Sequence, residues 1–278
     1  MDVVTLPEYF GFSEQSKINL VLYKSTQDVS KQQVHLKTHV FSFLSEGEKT
    51  VVGSHSSFKI NSTEFLLMQS GHCLMTEKRS PEKNYKSTLL FFSDEHIRSF
   101  IKKYTLKNDD KRVIRSVIPF QYDPYILQLV EGLKIVATLT ETLKEKLLAT
   151  KLEELFLYLT EKIGVSFLFN LMEYINHHEA HFISVVNSNQ LNKLSLKELA
   201  FLSNMSVSTF KRMFEKHFSV SPIKWFQEKR LDYAYYLLKH ERKRPSDIYF
   251  DIGYDNLSSF IQAYKTKFGS TPKQHTLF

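Results

Sequence analysis

The stretch SVSTFKRMFEKHFSVSP at residues 206–222 returns, reworded, as NLSSFIQAYKTKFGSTP at residues 256–272. Phe210, Phe214, Phe218 and Pro222 recur as Phe260, Tyr264, Phe268 and Pro272, each displaced by 50 (260 − 210 = 50). Apolar side chains four apart lie on one face of a helix, so each copy predicts an amphipathic helix rather than a strand. A chain that repeats one helix fifty residues on is constrained to two similar small helical units.

What precedes each copy sharpens this. In LSLKELAFLSN, Ser195 is placed to cap a helix and Glu198 stands three residues on, the capping-box spacing. Leu196, Leu199, Ala200 and Leu202 share a face, NMS makes a short turn, and Ser206 caps the next helix. In that helix Phe210, Met213, Phe214 and Phe218 predict the buried face, leaving Ser208, Thr209, Lys211, Arg212 and Glu215 outward. Two short helices and a tight turn, the second helix basic on its outer side, describe a helix-turn-helix; taken alone, one copy is equally a plain helical hairpin. The second copy repeats the plan: PSDIYFDIGYDN predicts a helix opening at Pro245 and a turn at Gly253, then NLSSFIQAYKTKF with Phe260, Ala263 and Tyr264 inward. The offset is 49 before the turn (Ala200 to Tyr249) and 50 after it, so the second turn holds one extra residue. Between the copies, PIKWFQEKRLDYAYYLLKH predicts one helix from Pro222 whose periodic face is Trp225, Phe226, Leu231, Ala234, Leu237 and Leu238. Residues 222–239 at ~1.5 Å per residue span about 27 Å, close to the roughly 34 Å between successive major-groove faces on one side of B-DNA. The repetition in the chain matches a repetition in the duplex.

Charge agrees. Residues 1–179 carry 22 Lys and Arg against 22 Asp and Glu, whereas residues 180–278 carry 15 against 8, which is the whole net +7. A neutral module followed by a basic one suits a polyanionic partner. Cys73 is the only cysteine, which excludes an internal disulfide framework and fits a reducing cytoplasm; within FLLMQSGHCLM it reads as a small packed apolar residue. The opening MDVVTLPEYF has no basic leader segment and no apolar run approaches ~18 residues, so no membrane association is expected. G-x-S-x-G, P-loop and G-x-G-x-x-G patterns are missing, and no enzyme activity or cofactor is expected. His35 and His39, read as lying on one strand, would sit roughly 13 Å apart, too far to share an ion. The HHEAH run (His177, His178, His181) lacks the H-E-x-x-H order of a zinc site. No metal site is expected.

The first half changes period midway. Residues 32–75 hold short β-rich runs broken at Gly47, Gly53 and Gly71, and KSTLLFFS near residue 90 is a further strand; such spacing predicts a small sandwich or barrel. After Pro119 the period becomes helical, through Ile126, Leu129, Val130, Leu133, Val136 and Ala137, then Leu148, Leu152, Leu155, Phe156 and Leu159. The 4-3-4 rhythm of the second stripe suits either packing on its own barrel or a dimer seam.

Residues from about 182 to 278 resemble the DNA-binding domain of the AraC/XylS family of bacterial transcription regulators, through SLKELAFLSNMSVSTFKRMFEKHFSVSP, KRLDYAYYLL and DIGYDNLSSFIQAYKTKFGSTP in order. Residues 1 to about 175 are similar in layout to that family's regulatory half, a cupin-like β-barrel followed by helices. The resemblance implies an α+β protein: a regulatory and oligomerisation domain at 1–175 and an all-α double helix-turn-helix domain at 180–278. It implies a cytoplasmic, sequence-specific regulator of transcription, expected to be an activator, controlled through its N-terminal domain. Base-reading candidates carried over are Ser208, Lys211 and Arg212, with Thr209 beside them, then Leu257, Ser258, Ser259 and Gln262; Lys265 is a candidate for the phosphate backbone. Double-stranded DNA and RNA polymerase are the expected partners, with a small-molecule or protein effector, and a second copy of the chain, at the N-terminal domain. Tyr249 stands where the family has a small residue, and Gln262 where Arg is frequent. Gln can pair with adenine but cannot make the Arg–guanine fork, so the first copy is expected to carry more of the affinity. The rival readings are a cupin-type metalloenzyme with a basic nucleic-acid-binding tail and an RNA-binding or architectural protein.

Overall fold

The computed structural model describes every residue except 1, 13–16, 109–115, 173–177 and 277–278. The chain divides into two compact units, Met1–Ser184 and Val185–Phe278.

The first unit opens with the strands β1 (Val4–Leu6), β2 (Asn19–Ser25), β3 (Val29–Leu36), β4 (His39–Glu46), β5 (Glu48–Val52), β6 (Ser57–Asn61), β7 (Glu64–Met68), β8 (Gly71–Lys78) and β9 (Tyr85–Phe92). Helix α1 (Asp94–Lys103), strand β10 (Val117–Gln121) and helices α2 (Pro124–Val136), α3 (Glu141–Ile163) and α4 (Ser166–Met172) follow, and α5 (His178–Ser188) leads onward. The strands form two five-stranded sheets, ordered β1-β3-β8-β5-β6 and β10-β7-β4-β9-β2. Inward residues of both sheets (Val34, Leu36, Val40, Val51, Met75, Leu89, Phe91) make one core. The opposite face of the second sheet, rich in Phe41, Phe43, Phe65 and Phe92, is covered by apolar residues of α1 to α4 in a second core. Strand β4 is therefore buried on both sides along most of its length, and its alternation disappears from the sequence.

That second core decides between the two readings of the helical stripe. Leu148, Leu152, Leu155, Phe156 and Leu159 all lie in it, with Leu152 only 2% exposed. The stripe is the inner face of α3, not a seam between two chains. The histidine pair also needs correction, because the turn between β3 and β4 separates His35 from His39. His35 stacks on His72, its cross-strand partner. His39 is buried, with Nε2 2.7 Å from Asp94 Oδ1 and Nδ1 accepting from the Ser70 amide. Of the HHEAH run, His177 lies outside the described residues, while His181 sits edge-on to His55. Among the described residues no three His, Cys, Asp or Glu come together as a metal site. Cys73 is buried, and burial pushes its thiol up to about 12. No single described helix is long and apolar enough to cross a membrane.

The second unit holds α6 (Leu196–Leu202), α7 (Val207–Phe218), α8 (Pro222–Lys239), α9 (Pro245–Ile248), α10 (Leu257–Phe268) and α11 (Pro272–Thr276). Ser195 accepts from the Glu198 amide while Glu198 reaches back to the Ser195 amide, closing the capping box. Ser206 caps α7 through the Thr209 amide, and Asn256 caps α10 through that of Ser259. Helix α8 is one continuous rod of 18 residues. Its Leu231, Ala234, Leu237 and Leu238 pack with Ile248, Ile252, Phe260 and Tyr264 in a core of their own.

Candidate nucleic-acid interface

The repeat in sequence is a repeat in space, ring for ring. The Phe210–Phe214 and Phe214–Phe218 centroids lie 5.8 and 4.5 Å apart, and the Phe260–Tyr264 and Tyr264–Phe268 pairs 5.7 and 4.6 Å. Both turns are built alike. Asn204 and Gly253, which correspond at the offset of 49, both have left-handed backbone (φ 54° and 97°). The Met205 amide bonds the Ala200 carbonyl at 2.9 Å, and the Tyr254 amide bonds that of Tyr249 at 3.0 Å. The offset is still 49 at Tyr254 and becomes 50 at Asn256, so the inserted residue is Asp255, placed after the turn and before the cap.

The first helix of the second motif departs from expectation. It is helical only over Pro245–Ile248, four residues against seven in α6. Ala200 is 1% exposed, whereas the matching Tyr249 caps the shortened helix with its backbone still right-handed. Tyr249 is half-buried and the helix stops before it.

The expected reading residues lie on the outer sides of α7 and α10. Ser208, Lys211 and Arg212 are exposed on α7, and Ser258, Ser259, Gln262 and Lys265 on α10. Thr209 and Leu257 are half-buried. The Ser206 hydroxyl is 2.9 Å from both the Ser208 and the Thr209 hydroxyls, so both side chains take part in the cap. Arg212 and Glu215 are both exposed, and among the described residues no ion pair or hydrogen bond joins them. Lys267, two residues beyond Lys265, is different: its ammonium lies 2.7 Å from Asp232 Oδ1 and donates to the Glu228 carbonyl at 2.7 Å. It ties α10 to α8. Arg242, Lys243 and Arg244, an exposed basic turn leading into α9, were not singled out by periodicity; the cue is the unbroken RKR before Pro245.

Two outward-facing helices on matched turns, fixed to one rod and preceded by a β-sheet unit, define a DNA-binding transcription regulator with a separate regulatory half. Comparison with known proteins agrees on both halves. Residues 39–170 match the family described as the ExsA N-terminal regulatory domain, and residues 199–276 match a helix-turn-helix domain family. The chain is 27% identical over 236 residues to the HTH-type transcriptional regulator ExsA of Pseudomonas aeruginosa, covering 83% of each protein. It is 28% identical over 169 residues to the virulence regulon transcriptional activator VirF of Yersinia enterocolitica, covering 60% of this chain and 62% of that one. Among solved structures it is similar to ToxT of Vibrio cholerae, at 13% identity and a TM-score of 0.43, over 94% of this chain and 98% of that one. The matches to its two halves together support an AraC-family transcription regulator.

Proposed function

We propose that α7 and α10 enter successive major-groove segments on one face of a duplex, with α8 setting their separation. The observation that carries this is the pair of equally capped helices with exposed polar faces, joined by a rod of 18 residues. Lys211 and Arg212 are the principal base readers of the first segment, supported by Ser208 and Thr209. Ser258, Ser259 and Gln262 read the second, beside Leu257, which packs against bases or thymine methyls. Lys265 and the Arg242–Arg244 turn hold phosphates. The protein acts as an activator and works with RNA polymerase, and the Met1–Ser184 unit receives the controlling signal.

Pairing of two chains belongs to this proposal too, but through a surface other than the Leu148–Leu159 stripe. Residues 180–278 form the DNA-binding part. Binding of that fragment to a genomic target and to bulk duplex at stated salt tests the reading; a folded fragment that shows no preference for any genomic target overturns it. Metal analysis of the purified protein tests the metalloenzyme alternative.

A further inference from the structure

The interior of the Met1–Ser184 sandwich is apolar except at one end. There Lys49 of β5 stands directly across from Glu77 of β8. Lys49 lies on the buried side of β5, along which burial alternates, and Glu77, directly across from it, is buried too. Lys49 Nζ lies 3.3 Å from Glu77 Oε1 and 3.2 Å from Ser42 Oγ, and the two charged side chains are 2% and 9% exposed. The hydroxyls of Tyr85 and Ser87 are buried nearby on β9. Burial, then the Glu77 charge and a hydrogen bond to Glu77, push the Tyr85 hydroxyl well above its ordinary value.

This is an expensive arrangement for a core. Well-packed hydrophobes in place of a buried ion pair are often neutral or stabilising. What it adjoins explains it. Lys49 and Glu77 line a cavity of about 160 Å³ whose other walls include Val34, Met68, Met75 and Leu89. The cavity opens to solvent past exposed Tyr9 and half-buried Gln32, and by volume it is of the size that accepts benzene, about 150 Å³.

Charge selects the class of occupant. A bare anion placed here meets Glu77, a bare cation meets Lys49, and the pair is neutral as a whole. A hydroxyl can accept from the Lys49 ammonium and donate to Glu77, and Tyr23 lines the same cavity. We propose that this cavity is a binding site for an uncharged molecule of about benzene size, with an apolar body and one hydroxyl seated at Lys49 and Glu77. Its use as a control input rests on reading this unit as the regulatory half; the site itself does not.

The test uses the full chain, with phenol, benzene and benzoate as probes and the Met68 and Met75 methyl resonances as the readout. Phenol should shift both methyls saturably and bind about tenfold or more tightly than either benzene or benzoate, as expected for a hydrogen bond to a charged group. Replacing Lys49→Met together with Glu77→Leu keeps the interior filled and should remove the preference, so that benzene binds at least as well as phenol. Val34→Phe should abolish both. Equal binding of phenol and benzene to the unaltered chain, no saturable shift, or shifts indifferent to Val34→Phe would each overturn the site, whether or not the double variant folds. Operator affinity is measured in parallel with and without phenol. If phenol binds as expected and that affinity stays constant, the control role falls and the site stands; if no operator is bound at all, the functional reading falls and the methyl result is untouched.

Discussion

Arg212 and Gln262 occupy exposed positions on α7 and α10 and differ in what they can read. A guanidinium forks onto guanine O6 and N7, and losing such a pair costs roughly 1–3 kcal/mol while relaxing preference at one base pair. Arg212→Ala should therefore weaken operator binding by that amount, with the loss concentrated on one position among operator point variants. Gln262→Ala should cost less and leave the salt dependence unchanged, because no cation is removed. Lys265→Ala should weaken every sequence alike and lower the salt slope by about one phosphate contact. Titrating the three variants against one operator and its point variants settles the assignment; equal weakening on all variants by Arg212→Ala would show that it is not a base reader. The residue types and their outward placement were legible from spacing alone. The diversion of the Ser208 and Thr209 hydroxyls into the Ser206 cap was not, because spacing places a side chain on a face without saying which atom it bonds.

The same scale holds the histidines of the first unit. Burial, aided by His181, lowers His55 to about 4, and burial, with His35 and His181, lowers His72 to about 4. Their unfolded values lie near 6.5, so the unfolded chain takes up protons first as pH falls. Stability present above about pH 6.5 is lost progressively toward about pH 4, and these two groups add no further loss below that. Asp94 behaves in the other order: its hydrogen bond to His39 holds the carboxyl below its usual range, so its contribution is present above the unfolded carboxylate value and vanishes only in stronger acid. Urea midpoints at pH 7 and pH 5 should differ in the unaltered protein and converge in His55→Gln with His72→Gln. An unchanged difference would place the acid sensitivity elsewhere.

At the scale of elements, the repeat makes its own comparisons. Helix α7 ends at Ser219, left-handed at φ 57°, whereas α10 ends at the matching Gly269, at φ 73°. A non-glycine residue in that region is disfavoured, so Ser219→Gly should stabilise the C-terminal unit by about 0.5–1 kcal/mol, read from chemical denaturation. Lys267 and Lys265 offer a second comparison. Lys267→Met removes the tie to Asp232 and Glu228 and should lower stability while leaving the salt slope of DNA binding intact, the reverse of Lys265→Ala. Both would fail together if Lys267 contacts DNA. In the first unit, Leu152→Glu buries a charge in the helix–sheet core and should cost several kcal/mol, on the order of 3–5, unfolding that unit rather than parting a dimer. The period of this stripe was readable because periodicity reports that a helix has a buried face; which surface fills that face is decided by distant residues such as Phe41, Phe92 and Phe100, which are 56 to 115 positions from Phe156 and beyond any local window.

Over the whole molecule, charge and core are divided in the same way. The +7 belongs to residues 180–278, and the second unit has its own hydrophobic cluster, so the change in charge balance falls close to the boundary between the two compact units. The sheet topology was not legible in the sequence. Strand β4 lies between β7 and β9 and is covered on both sides, so its apolar run carries no period, and pairings such as β3 with β8 join segments about forty residues apart. The continuity of α8 has a consequence for the genome that this protein reads. Each residue added to a helix turns everything beyond it by about 100° and advances it by about 1.5 Å, so an unbroken rod acts as a caliper with one setting. Base substitutions in either half of a target should be tolerated in degrees, whereas inserting or deleting a single base pair between the halves swings one half around the duplex by roughly 34–36° and out of step with the caliper. Targets of this regulator should therefore vary in spelling and hold their spacing, and an insertion series between the two halves, scored by affinity, should fall at once rather than fade.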